Sequence, residues 1–209
     1  MPTGVDERGW PLPEQPWLYG EHMFRALAAA AQIHAAQKRK GTEIPYLSHL
    51  LGACSIALEY GADEDQAIAA LLHDAIEDGL PTDAARKTVA SFGPEVLRIV
   101  EACTDAGTHP KPPWRARKEA YLAKLAQDDR SILLVSASDK LHNARSIVRD
   151  LRGVGEPVWG RFSVSKAKRL LYYRSLVTVY RGNRAHMPAL IDELDRTVGE
   201  MEELSTGGR

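Results

Sequence analysis

Apolar positions along this chain recur every three or four residues, and strand-like alternation is scarce. That spacing predicts helices almost throughout. Residues 1–20 are proline-rich and turn-prone and read as an irregular arm. A first helix is expected over residues 21–38, with Phe24, Leu27, Ala31 and Ala35 along one side. Gly41 and Pro45 break the pattern before a second helix over 47–60, closed by Gly61. Asp63 caps a third that runs to Glu77 and stops at Gly79-Leu80-Pro81. A fourth covers 82–92, and Pro94 opens a fifth. After a polar, proline-containing connection, further helices are expected over 114–127, 130–151, 163–181 and 188–203. No repeat or interdomain linker interrupts the series. The expected architecture is all-α, a single helical bundle over residues 21–203, between the arm 1–20 and a flexible tail 204–209.

Composition narrows the function classes. A chain of 209 residues can bury about 70% of its extended surface, enough for one full core. The net charge of -1 gives no bulk attraction to a nucleic acid polymer or an anionic membrane. Cys54 and Cys103 stand far apart in alanine- and valine-rich surroundings, which suits buried thiols in a reducing compartment. The first residues lack the basic and apolar regions of a signal peptide, and no apolar run could cross a bilayer. A cytoplasmic, soluble protein is expected.

One stretch carries chemistry. His73-Asp74 sits inside Ala69-Ala70-Leu71-Leu72-His73-Asp74-Ala75-Ile76-Glu77-Asp78. Consecutive helical positions point about 100° apart, close enough for one rigid element to offer both side chains to one ion. Imidazole with carboxylate suits Mn²⁺, Fe²⁺, Co²⁺ or Zn²⁺. His49 upstream and Asp139 downstream could complete the set. On a continuous helix Glu77 falls at i+4 from His73, and Asp78 at i+4 from Asp74. So much negative charge at a helix C-terminus opposes the helix dipole, and a cation would relieve it. The residues alone leave two accounts open: a metal site, or an acidic helix end facing water. Asn143 and Ser146 share a face with Asp139, as a pocket lining would; His142 reads as a supporting or packing residue. Arg39, Lys40, Arg115, Arg117, Lys118 and Lys140 are candidates for gripping phosphate.

These residues resemble the HD-domain superfamily, and within it the hydrolase domain of RelA/SpoT proteins and its stand-alone small alarmone hydrolase relatives. The matching segments are His34-Ala35-Ala36-Gln37-Lys38-Arg39-Lys40-Gly41, Pro45-Tyr46-Leu47-Ser48-His49, the segment around His73-Asp74, Phe92-Gly93-Pro94-Glu95-Val96, and Ser138-Asp139-Lys140-Leu141-His142-Asn143-Ala144-Arg145-Ser146. The resemblance implies an HD-domain bundle and one Mn²⁺ held by His49, His73, Asp74 and Asp139. It implies that Glu77 and Asp78 activate water, that Arg39 or Lys40 contacts base and phosphates, that Asn143 helps hold the nucleoside with Tyr172 or Tyr173 packed on it, and that Ser146, where the long enzymes usually have threonine, keeps a hydroxyl in the substrate site. Leu50 stands where the family usually has proline, and the segment 105–118 differs from the long enzymes.

The expected ligand is a small phosphorylated nucleotide, held partly by Arg117 and Lys118. Glu77 is the first choice of general base. The family reaction is hydrolysis of guanosine 3′,5′-bis(diphosphate) to GDP and pyrophosphate. Two alternatives stand beside it: a broader nucleotide phosphohydrolase acting on NADPH or adenine alarmones, and a regulatory nucleotide-binding module without turnover.

Overall fold

The structure, a computed structural model, describes residues 20–79, 82–105, 110–182 and 187–207, with the backbone alone for Asp78, Gly79 and Thr82. The expected arm, apart from Gly20, lies outside the described residues. In chain order the α-helices are α1 (Glu21–Ile33), α2 (Leu47–Glu59), α3 (Glu64–Leu72), α4 (Thr82–Ala90), α5 (Pro94–Cys103), α6 (Trp114–Leu125), α7 (Arg130–Val154), α8 (Lys166–Gly182) and α9 (Pro188–Ser205). Among the described residues there is no strand, only an isolated antiparallel bridge between Lys38 and Pro45. The fold is an all-α bundle.

The run Leu133-Leu134-Val135 makes α7 the central helix, because side chains of this kind gain about 1.5–3 kcal/mol each on full burial. Leu133, Leu134, Val135, Ala137, Leu141 and Ala144 are all 0% exposed, and α7 packs on α2, α3, α5 and α9. Its start is fixed by Asp129, whose carboxylate accepts from the N–H groups of Ser131 (2.9 Å) and Ile132 (3.2 Å). A capping box starts α3: Asp63 accepts from the Gln66 N–H at 2.9 Å, and the Gln66 side chain accepts from the Asp63 N–H at 3.1 Å. Ser136 at the centre bonds both the Tyr121 and Tyr180 hydroxyls, at 2.5 and 2.6 Å, tying α6, α7 and α8 together without an orphaned buried group.

Two differences from the periodic pattern shape the site. The first helix stops at Ile33, not at 38. The chain then doubles back, with Arg39 N–H to the Ile44 carbonyl at 2.8 Å and Tyr46 N–H to the Gln37 carbonyl at 2.9 Å. Gly41 makes this turn at φ 70°, and a Cβ there would meet Arg161 Cγ at 2.6 Å. Arg39 and Lys40 therefore ride on a tight loop.

The third helix stops at Leu72, five residues short of Glu77, and Ala75–Gly79 forms a π-helical turn. Two tethers fix the side chains of the intervening pair. His73 Nδ1 donates to the Ala70 carbonyl at 2.8 Å, and the Tyr46 hydroxyl donates to Asp74 Oδ2 at 2.5 Å. The i+4 faces expected of a continuous helix do not form; the wider turn redirects Glu77.

Elsewhere the boundaries move by a few residues. A 3₁₀ turn, Glu156–Arg161, forms in the connection before α8, and α9 continues to Ser205, whose carbonyl accepts from Lys166 Nζ at 2.8 Å. No helix among the described residues is long and apolar enough to cross a membrane.

Candidate metal centre and adjoining cleft

Three helices aim nitrogen and oxygen donors at one point. His49 comes from the first turn of α2, His73 and Asp74 from the two positions directly after α3, and Asp139 from the middle of α7. The ligand atoms of His49, His73 and Asp74 all lie within 4.8 Å of one another. His49 Nε2 is 3.6 Å from Asp74 Oδ2 and 3.2 Å from Asp139 Oδ1; His73 Nε2 is 3.1 and 3.6 Å from the same two atoms. Donors bound about 2.1 Å from one ion stand roughly 3–4 Å apart, so the spacing fits shared coordination.

The imidazoles supply the decisive test. Both Nε2 atoms are buried and have no hydrogen-bond partner. A buried polar atom left unmatched costs about 1–3 kcal/mol, and two aimed at one point need a common partner. His73 Nδ1 is occupied by the Ala70 carbonyl, which leaves the Nε2 lone pair facing the cluster. Burial works against a charged His73, yet the Asp74 and Asp139 carboxylates override it and hold the imidazole pKa well above its usual value. Burial likewise opposes the charged form of both carboxylates. His73 nevertheless holds Asp74 far below the normal range, as Lys140 and His73 hold Asp139. The cluster is built to surround positive charge. This His/His/Asp cluster can coordinate a divalent metal ion, and Asp139 stands beside it.

Around these donors, Asp139 accepts from Lys140 and Asn143. Lys140 Nζ also lies 5.2 Å from the Tyr121 ring centre. Arg39 donates to Asn143 Oδ1 at 2.6 Å, so the loop cation reaches Asp139 through one amide. His142 Nδ1 lies 2.9 Å from His49 Nδ1.

Two adjoining cavities, of about 600 and 310 Å³, lie next to the cluster, joined to it by Tyr46, Lys140 and Asn143, which line them and bond Asp74 or Asp139. Arg39, Lys40, Asn143, Ile147, Phe162 and Arg169 line both. Ser146 lines the larger one, its hydroxyl donating to the His142 carbonyl at 2.9 Å. Glu77, Arg117, Lys118, Lys140 and Tyr172 line the smaller. The Tyr172 hydroxyl is buried without a partner, beside the Trp114 ring at 5.7 Å and under Lys118 Nζ at 5.1 Å. Arg115, by contrast, turns to solvent and pairs with Glu119. It is not a wall of either cavity.

Glu77 accepts from Lys111 Nζ at 3.0 Å, with Arg117 at 3.8 Å. Burial, together with repulsion from Asp105 and Asp74, pushes its pKa up to about 6, against the pull of Lys111. Asp105 accepts from both Arg117 and Lys118. Burial disfavours its charge, but Lys118 and Arg117 keep its carboxyl below the usual range. For Asp78 the side chain lies outside the described residues.

Sequence reasoning missed Arg169, Lys111, Asp105 and Tyr46. Arg169 is the strongest omission. Its guanidinium sits 3.9 Å from the Phe162 ring centre, its Nε is buried with no partner, and no carboxylate among the described residues pairs with it. A signal existed: Arg169 precedes Tyr172 and Tyr173 by three and four residues, on one helical face. Asp105 and Lys111 fall in the segment 105–118 that the sequence sets apart, but no spacing marks either one as a site residue.

With this geometry in hand, the HD-domain family model matches residues 26–159, and the chain belongs to that family. Its relatives are of the RelA/SpoT and MESH1 types. It is 33% identical over 176 residues to the guanosine-3′,5′-bis(diphosphate) 3′-pyrophosphohydrolase MESH1 of Xenopus tropicalis, covering 83% of this chain and 90% of that one. It is also 33% identical over 130 residues to the guanosine-3′,5′-bis(diphosphate) 3′-pyrophosphohydrolase of Aquifex aeolicus, but there spans only 18% of the relative's length. A solved structure described as a metazoan orthologue of SpoT that hydrolyses ppGpp and plays a role in starvation responses superposes with a TM-score of 0.71. The identity is 26%, covering 90% of this chain and 98% of that one.

Proposed function

We propose that this chain is a divalent-metal-dependent hydrolase that converts guanosine 3′,5′-bis(diphosphate) and water to GDP and pyrophosphate. One observation carries the reading. Two buried, unpartnered imidazole nitrogens and two carboxylates converge next to a cleft walled by arginine and lysine, with Lys140 and Asn143 lining the cleft and bonding Asp139. Negative donors for a cation and positive groups for phosphates, side by side, are what a metal-assisted attack on a phosphate ester requires. The relatives' activity supports the choice of nucleotide.

His49, His73, Asp74 and Asp139 would hold the ion, and Mn²⁺ suits their mixed nitrogen and oxygen donors. Bound there, it would acidify a water and neutralise charge on the phosphoryl oxygens. Glu77, with its pKa near 6, is ionised at neutral pH yet basic enough to take the proton of the attacking water. As the bond between phosphorus and the 3′ oxygen breaks, that oxygen leaves as the 3′-hydroxyl, and Glu77 can return the proton. Asp78 is the second acidic group we assign to the water network. Lys118 and Arg117 face the cleft beside Glu77 and would grip the departing pyrophosphate, while Arg39, Lys40 and Arg169 would hold the 5′ diphosphate between the cavities. Tyr172, Asn143 and Ser146 are left to pack and orient the nucleoside.

The test is direct. Protein stripped of metal and reloaded with Mn²⁺ is given the guanosine substrate, and products are followed by phosphorus NMR. Equimolar GDP and pyrophosphate are expected. Orthophosphate release, or faster turnover of NADPH or an adenine alarmone, would move the reading to a broader nucleotide phosphohydrolase. Tight binding without any product would make the chain a regulatory module.

A further inference from the structure

The two histidines of the cluster are oriented by different devices. The His73 ring is tethered to a backbone carbonyl, which can only accept. His49 Nδ1 instead faces the Nδ1 of another imidazole, His142, at 2.9 Å, with ring centres 4.9 Å apart. One proton must lie between those two nitrogens. If His49 carries it, the His49 Nε2 lone pair is free to bind a cation. If His142 carries it, the His49 proton sits on Nε2, aimed at Asp139, and coordination is blocked.

The position of His142 is not left to chance. It follows Asp139 by three residues on α7, so both side chains look toward α2. Opposite it stands Gly52, one helical turn beyond His49. A Cβ on Gly52 would lie 2.1 Å from His142 Cδ2 and 2.2 Å from its Nε2. A glycine inside a helix costs about 0.5–1 kcal/mol relative to alanine. Here it makes the seat into which the ring fits.

We propose that His142, seated on Gly52, is a positioning residue for the metal centre: it accepts the His49 Nδ1 proton and so fixes the His49 tautomer that coordinates. This rests on the metal reading above.

The test measures metal uptake and not turnover. Stripped protein is titrated with Mn²⁺ while free ion is read by electron paramagnetic resonance. His142→Phe keeps the ring volume and loses the acceptor; it should weaken Mn²⁺ binding by about 10–100-fold. Gly52→Ala, which evicts the ring, should do the same. His142→Asn places an amide oxygen near the lost Nδ1 and should recover most of the affinity, which a purely structural role would not predict. Binding by His142→Phe within about twofold of the wild type would overturn the proposal while leaving the metal reading intact. Failure of the wild type to take up either Mn²⁺ or Zn²⁺ would overturn both. If the Phe variant does not fold, nitrogen-15 NMR of the Zn²⁺-loaded wild type decides. A His49 Nδ1–H coupled to His142 Nδ1 supports the assignment; the absence of that coupling refutes it.

Discussion

The donor cluster and the cationic wall of the cleft lie within one site but are built in opposite ways. The cluster sits on helices packed into the core, and His49, His73 and Asp139 are 0%, 3% and 6% exposed. Its side chains are tied from behind by Ala70, His142, Tyr46, Asn143 and Lys140. The wall stands on the loop after α1, on α6 and on α8, where Arg117 and Lys118, 14% and 20% exposed, share Asp105 as their acidic partner and Arg169 has none among the described residues. A metal needs donors already in place, because misplacing a ligand by a fraction of an ångström weakens coordination. A nucleotide brings its own flexible phosphates, so the wall can be assembled from long, adjustable side chains. The rigid half sets the chemistry, and the adaptable half sets what enters.

That contrast is broken most severely from the rigid side. His73→Ala or Asp139→Ala should abolish turnover and metal uptake together, measured as bound Mn²⁺ and initial rate. Chelation of the wild type should give the same loss, reversed by adding metal back. If either variant kept full activity, the centre would not be where we place it. Glu77→Gln comes next. It should lower kcat by about 10²–10⁴-fold, the usual worth of a general base, with Mn²⁺ affinity close to normal. A parallel collapse of metal affinity would instead make Glu77 a ligand.

The same division governs what could be read from the sequence. The helices were legible because α7 carries a long apolar run and α3 is announced by Asp63. The meeting of His49 and Asp139 with His73-Asp74 was not derivable from spacing; it came from resemblance. The end of α3 was misread, since a π-helical turn keeps helical composition and only side-chain tethers reveal it. The loop 34–46 was misread for a related reason: Ala35 and Ala36 prolong an apolar pattern after the backbone has left the helix. The segment 105–118 stands out in the sequence, but the roles of Asp105 and Lys111 within it do not, because a loop residue's partners depend on the path of the chain and not on any period.

A smaller effect sharpens the adaptable half. Arg169→Met should raise KM by about 10–100-fold, as loss of a charge-assisted phosphate contact does, with kcat much less affected. The same substitution should leave thermal stability equal or higher, because burial already disfavours the Arg169 charge and no carboxylate among the described residues balances it. Opposite signs for binding and stability distinguish an anion hook from a structural arginine. A lower Tm with unchanged KM would show that Arg169 serves the fold alone.

The smallest effect lies at the seam between the halves. Asp105 repels Glu77 while occupying Arg117 and Lys118, so it ties the wall's charge to the base. With the Glu77 pKa near 6, about a tenth of it is ionised at pH 5, and the rate should rise with pH through 6 before levelling. Asp105→Asn removes the repulsion. It also releases Arg117, already 3.8 Å from Glu77, to stabilise the carboxylate. Both changes favour the charged form and lower the pKa toward the ordinary 4.5. The acid limb of kcat should therefore move down by about one pH unit, and a weaker base should trim the plateau only slightly. A limb that stays near pH 6 in this variant would assign the ionisation to a group other than Glu77.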